Sequence, residues 1–406
     1  MNRDRIDSTQ PAWRLLLQAL CRRLRGTWPE RTLHTAVLPI LLALSALVQV
    51  ASCGGGGVGE GGTGYTVGPI TGFGSVIVNG IVFDDANAGI EDGDGAMRTR
   101  AELRLGMTVE VDSDGIRSGN ARAARVRFDS AITGPVERLE SDGFVVLGQR
   151  VVVDSTTVLD AAAAVAPGQV VEVFALFDAG IQRYRATRVE RRLVALRYRL
   201  RGVVADLDES TRTFRIGSAL FAYGSASSVP SDLGVGSFVR VIVSTSTGLA
   251  GRWPVQRFVE SQRLLADVDT ISLKGHITSF ATLANLRVDG RPVDASAAAI
   301  SGGPLAIGQR VEANGAPRAG ALVATSVVVR SDEDERQRGF ELRGEIESLA
   351  ADRTSLVLRG VTVGLVGATY DGGSATTLAV GRQIEVRAVV TAGNGARLDA
   401  LTVKFR

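Results

Sequence analysis

The chain has 406 residues with 48 glycines, 5 % aromatic residues and a formal net charge of +3, a composition of many turns and thin aliphatic cores that fits a globular β protein and shows no sign of wholesale disorder. The positive charge sits at the front: residues 1–52 hold seven arginines against Asp4, Asp7 and Glu30, so the rest is close to neutral and lacks the basic surface of a nucleic-acid binder. The only cysteines, Cys21 and Cys53, exclude a cysteine zinc site, a cysteine nucleophile or an internal disulfide from everything after position 53.

Residues 36–51 form an apolar run behind the arginine-rich start. The run is too short and too interrupted for a membrane span, and it ends in small residues, which is the pattern of a signal peptide. Its end, Val50-Ala51-Ser52-Cys53, resembles a bacterial lipobox. That resemblance implies cleavage after Ser52, diacylation of Cys53 and a lipid anchor, and Gly54 in the next position points to the outer membrane, facing the periplasm or the cell surface. Residues 53–64 are then the lipidated cysteine and a glycine-rich tether, with a reach of roughly 18 Å.

From residue 65 one phrase is stated five times. It opens on Gly-x-[Ile/Val], at Gly68-Pro69-Ile70, Gly134-Pro135-Val136, Gly202-Val203-Val204, Gly275-His276-Ile277 and Gly344-Glu345-Ile346. It is answered by a glycine and a Val-Glu-Val strand at Gly106–Val111 and, in turn, after Gly168, Gly236, Gly308 and Gly381. Such periodicity predicts a repeat architecture: units at 65–131, 132–198, 199–266, 272–331 and 340–406. Within a unit, two apolar runs flank a turn pair such as Asn79-Gly80 or Asp289-Gly290, the strongest short hairpin signal. Alanine-rich spacers at 160–166 and 294–300 read as short helical turns capped by aspartate. Three strands, a short helix and two strands predict an all-β chain, a tandem array of five small OB-like five-stranded β-barrels, although a small SH3-like barrel or an open sandwich would write nearly the same sequence. Residues 191–201 and 262–272 read as linkers, and the charged run 331–338 as a solvated connector.

The stretch Gly68-Pro69-Ile70-Thr71-Gly72-Phe73-Gly74-Ser75-Val76-Ile77-Val78-Asn79-Gly80-Ile81-Val82-Phe83-Asp84, with Gly106-Met107-Thr108-Val109-Glu110-Val111, resembles the bacterial domain of unknown function DUF5666, which occurs in tandem behind lipoprotein signals. The resemblance implies an envelope location and carries no catalytic residues with it.

Candidate sites are few. The loop 84–95 is dense in carboxylates, and Asp84, Asp85, Glu91, Asp92 and Asp94 are the only candidate metal ligands, for Ca²⁺, although the spacing does not follow an EF-hand. His276, the one histidine after His34, has no nucleophile or second histidine beside it in the sequence and reads as a strand side chain. The glutamate of Val-Glu-Val (Glu110, Glu172, Glu312, Glu385), replaced by Arg240 in the third unit, alternates with core residues and reads as solvent-facing. With no recurring nucleophile, acid–base pair or metal cluster, the expectation is a non-enzymatic binding or scaffold module of the envelope, with no required cofactor and no nucleic-acid partner. A protein or glycan partner is open, and the alternative is a periplasmic or surface binder of a small ligand, a glycan or Ca²⁺.

Overall fold

The computed structural model describes residues 63–160, 165–259, 268–391 and 394–406, with backbone alone at 394–396. Ser52, Cys53, the apolar run, most of the tether and most of the linker 262–272 lie outside these residues.

The Asn79-Gly80 turn is the simplest place to see the sequence at work. Both residues take positive φ, 54° and 78°, so the strand Val76–Val78 folds back onto Ile81–Asp84 in register. Glycine adopts that conformation freely and asparagine tolerates it. The hairpin closes into a ring. The opening strand Thr63–Phe73 pairs antiparallel with Val76–Val78 on one side and with Thr108–Asp114 on the other. The last strand, Asn120–Phe128, runs antiparallel to Thr108–Asp114 and parallel to Ile81–Asp84. Five strands thus form a closed barrel, in which the long opening strand keeps a free edge only toward its ends. The same pairing scheme recurs within residues 132–192, 198–259, 270–330 and 340–405.

The barrels join edge to edge into two sheets, one of 19 strands and one of 12. Thr63–Phe73 pairs in parallel with Thr270–Thr282 through Gly64–Val67 and Thr270–Leu273, and at its far end with Phe340–Leu349 through Gly72 and Phe73. In the second sheet Ile132–Glu140 pairs with Tyr198–Val203. The apolar cores are shared accordingly. Ile70, Phe83 and Val126 lie in one cluster with Leu342, Ile346 and Val386. Ile132 and Phe144 share another with Leu200, Phe214 and Phe258. Tyr65 and Val67 complete the core around Leu286 and Val311. Residues 58–406 are one compact unit. Single barrels of this size bury little, so shared cores are the physical route to stability.

Three expectations change. The spacer of the fourth repeat is no helical turn: Asp294 accepts from the amide of Ser296 at 2.9 Å, and Ala299–Ser301 then runs as a strand parallel to Ala321–Arg330. A free strand edge satisfies three backbone groups at once, which outweighs the small helix preference of alanine. Residues 161–164 of the other spacer lie outside the described residues. The run 331–338 forms a seven-residue helix, Asp332–Arg338, started by a Ser331/Asp334 capping box. That helix docks: Asp332 reaches Arg185 at 3.1 Å, and Glu335 pairs with the buried Lys274.

The Val-Glu-Val glutamates do not face open solvent. Arg240 is 1 % exposed and Glu172 5 %. Glu110 meets Arg291 of the fourth repeat at 2.5 Å, Glu172 meets Arg192, and Glu312 meets Arg330 at 3.2 Å and Arg338 at 3.4 Å. Alternation correctly puts this position on the face away from its own barrel core. In several repeats that face is covered by a neighbouring barrel, so each charge must find a partner.

Candidate functional site

The loop 84–95 lies against other parts of the chain. Asp85 is buried and held by Arg100 at 2.5 and 2.8 Å. Asp92 binds Arg98 at 2.6 Å and the amides of Asp94 and Ala96. Burial pushes the Asp92 carboxyl up, but Arg98 and those amides outweigh it and hold it below the usual carboxylate range. Glu91 lies 3.6 Å from Arg125, and Asp84 accepts from the amide of Ala86. Asp94 is the countercharge of a neighbouring barrel: it pairs with Arg199 and lies 3.7–3.8 Å from Arg257, Arg240 and Arg197. The five carboxylates are distributed over separate partners, and among the described residues no three metal-binding groups converge. The arginine standing in for glutamate at position 240 is explained here, because it reaches Asp129 at 2.9 Å and the carbonyl of Gly93 at 2.7 Å.

His276 is 2 % exposed on the strand Thr270–Thr282. Burial, together with the charges of Arg310 and Arg185, holds its imidazole well below the ordinary histidine value, so it is neutral at pH 7. Its Nδ1 meets no hydrogen-bond partner among the described residues. Among the described residues it has no nucleophile in hydrogen-bond contact, which leaves the strand-side-chain reading intact.

The feature with the geometry of a binding site is one the sequence did not single out. A cavity of about 340 Å³ opens where four of the barrels and the helix Asp332–Arg338 meet. Opening-strand residues Pro69 and Ile70 and the hairpin residues Ile77 and Asn79 line it from the first repeat, Leu176 and Thr187 from the second, Lys274 and Arg310 from the fourth, and Phe340 and Val389 from the fifth. Its charged rim holds Lys274, Arg310, Arg336, Arg338 and Arg387; the first four pair with Glu335, Asp332, Glu333 and Glu312, and Arg387 meets no carboxylate among the described residues. Lys274, one of two lysines in the chain, is nearly inaccessible, and burial pushes its ammonium below the ordinary value in spite of Glu335. Arg387 donates to the carbonyls of Gln337 and Arg338 at the end of the helix. Two buried polar atoms of its lining residues, Oδ1 of Asn79 and Nε of Arg310, have no hydrogen-bond partner among the described residues. A cavity between barrels with apolar walls and an arginine free of carboxylates on its rim suits a small anionic ligand. The rare lysine at position 274, on a strand that carries no Asp, Glu or Arg, was the one signal for it in the sequence.

Comparison with known proteins adds a family without an activity. Residues 133–190, 274–328 and 343–404 match the family described as Domain of unknown function (DUF5666). Each match begins at or next to an opening glycine and ends within a last strand, so the matched unit corresponds to one closed barrel. The segment 68–111, on which the resemblance was read in the sequence, lies outside the three matches. No curated protein matches the chain.

Proposed function

We propose that the protein is a non-enzymatic binding module of the cell envelope: five OB-like barrels in tandem, held to the outer membrane through a lipid on Cys53, that take a small anionic ligand into the space between barrels. The supporting observation is the cavity at the barrel junction, whose wall carries Arg387 with no carboxylate partner among the described residues beside four cations already held in ion pairs. An assembly cross-braced by strand pairing between barrels holds such a cavity open without cost to the ligand, which favours binding. Acidic fragments of envelope glycans combine negative charge with an apolar ring face and fit both parts of the wall.

The test is isothermal calorimetry on residues 58–406 with a panel of acidic glycan fragments and neutral counterparts, with Ca²⁺ included to probe the loop 84–95. Heat with an acidic fragment that is lost in Arg387→Glu supports the reading. Heat with Ca²⁺ alone moves the site to the loop. Asp92 and Asp94 are unsuitable as probes because both carry structural ion pairs.

A further inference from the structure

The largest exposed apolar side chains of the second sheet gather at one end. Leu193, Val194 and Leu196 are 85 %, 77 % and 90 % exposed, and Leu249 is 93 % exposed. The first three lie in the loop between the strands Arg183–Arg192 and Tyr198–Val203; Leu249 lies in the loop between Phe238–Val243 and Trp253–Val259. Tyr198 is paired with Val243, and Val243 with Val255. Both loops therefore leave the same end of the sheet, side by side.

Their surroundings are specific. Immediately behind the two loops, Tyr198 and Trp253 stand edge to face with ring centroids 5.8 Å apart. Arg191, Arg192 and Arg197 flank the first loop and Arg252 the second; Arg192 is paired with Glu172 and Arg197 lies 3.8 Å from Asp94, while Arg191 and Arg252 meet no carboxylate among the described residues. Naked leucines at the tip, an aromatic collar and an arginine fringe are the layers of a bilayer interface: hydrocarbon, glycerol backbone, anionic headgroup. Exposed aliphatic tips of this kind are rare on a surface facing only water.

We propose that this tip is a membrane-contacting surface, in which Leu193, Val194, Leu196 and Leu249 enter an anionic phospholipid leaflet while Arg191 and Arg252 hold its headgroups. It would give the protein a second grip on the membrane beside an acyl anchor and fix the orientation of the barrels above it. The proposal does not require lipid on Cys53 or a ligand in the cavity.

Trp253 is the only tryptophan after Trp28, so the site carries its own probe. Residues 58–406, a compact unit without Cys53, are mixed with vesicles of phosphatidylethanolamine containing about a quarter phosphatidylglycerol, a fraction that sets an anionic surface. The expected result is a blue shift of Trp253 emission, quenching by lipids brominated on their acyl chains, and binding about tenfold weaker on pure phosphatidylcholine. The double variant Leu193→Asp, Leu196→Asp, whose side chains lie outside the core and leave the melting temperature unchanged, is expected to bind the anionic vesicles at least about tenfold more weakly. Equal binding by variant and wild type, or no binding by either, overturns the proposal. So does concentration-dependent self-association, abolished by the double variant, in a protein that ignores vesicles, since the tip is then a contact between copies of the chain. A ligandless cavity or an unacylated Cys53 leaves these readouts untouched.

Discussion

His276 makes a sharp test of the buried face between barrels, because residues 58–406 contain no other histidine. Burial and the charges of Arg310 and Arg185 hold its folded-state value well below that of an exposed imidazole. The unfolded chain, with a value near ~6.5, therefore takes up a proton that the folded chain refuses. Stability is whole above that value and falls as the pH drops below it. Integrating for one site, the folded state loses about 1.4 kcal/mol by about pH 5.5 relative to neutral pH. Glu110 and Asp92, held below the usual range, add acid sensitivity only at lower pH. Asp129, whose carboxyl is pushed up by burial against the pull of Arg240, has the opposite sign. The quantity to measure is thus the difference between wild type and His276→Gln. One imidazole resonance is expected in a ¹H–¹³C spectrum, and it should not titrate between about pH 7.5 and about pH 5.5. Calorimetric stability of the wild type should fall over that range by about 1.4 kcal/mol more than that of the variant. A resonance that titrates near the ordinary value, or an identical pH dependence in the variant, would refute the buried, uncompensated histidine and the packing that produces it.

Other outcomes follow from the contacts between barrels. Gly106 has φ of 79°, and a Cβ there would lie 2.3 Å from the carbonyl oxygen of Thr187 in the second repeat, whereas at Gly381, with φ of 81°, a Cβ would meet nothing. Alanine at Gly381 should therefore cost only the backbone strain, about 1 kcal/mol, and at Gly106 at least about 1 kcal/mol more, read from the shift in thermal unfolding. Asp94→Asn removes the shared countercharge of Arg199 and Arg240 and is expected to destabilise by about 2–3 kcal/mol, measurable by the same method. Cys53→Ser is expected to abolish acylation, seen as the loss of the acyl mass on the amino-terminal peptide and a shift of the protein from the membrane fraction toward the soluble one.

The barrels themselves were legible because their information is local. Asn79-Gly80 specifies its own turn, and the spacing from an opening glycine to Val-Glu-Val fixes which strands close the ring. What joins barrel to barrel is not local. The parallel pairing of Gly64–Val67 with Thr270–Leu273 links segments whose sequences carry no mark of one another, so the shared cores could not be read in advance. Strand alternation shows that Glu110, Glu172 and Glu312 leave their own core; it is silent on what covers the second face. The exchange of glutamate for Arg240 was a legible trace of that cover, since a solvent-facing position has no need to reverse its charge opposite Asp129. The cavity was hidden for the same reason: its wall is assembled from four repeats, and only Lys274 stands out in its own strand. The loop 84–95 looked like a ligand for a cation because its carboxylates are contiguous; Arg98 and Arg100, which occupy Asp92 and Asp85, follow close behind it, while Arg125 and Arg199, the partners of Glu91 and Asp94, lie farther along the chain.

The most direct measurement of the central claim is the thermal stability of residues 58–406 with acidic envelope-glycan fragments, for the wild type and for Arg387→Glu. A fragment present at about 100 times its dissociation constant should stabilise the wild type by roughly 2.7 kcal/mol and leave the variant unchanged. A variant stabilised as much as the wild type, or a wild type that no acidic fragment stabilises, would contradict a ligand site between the barrels.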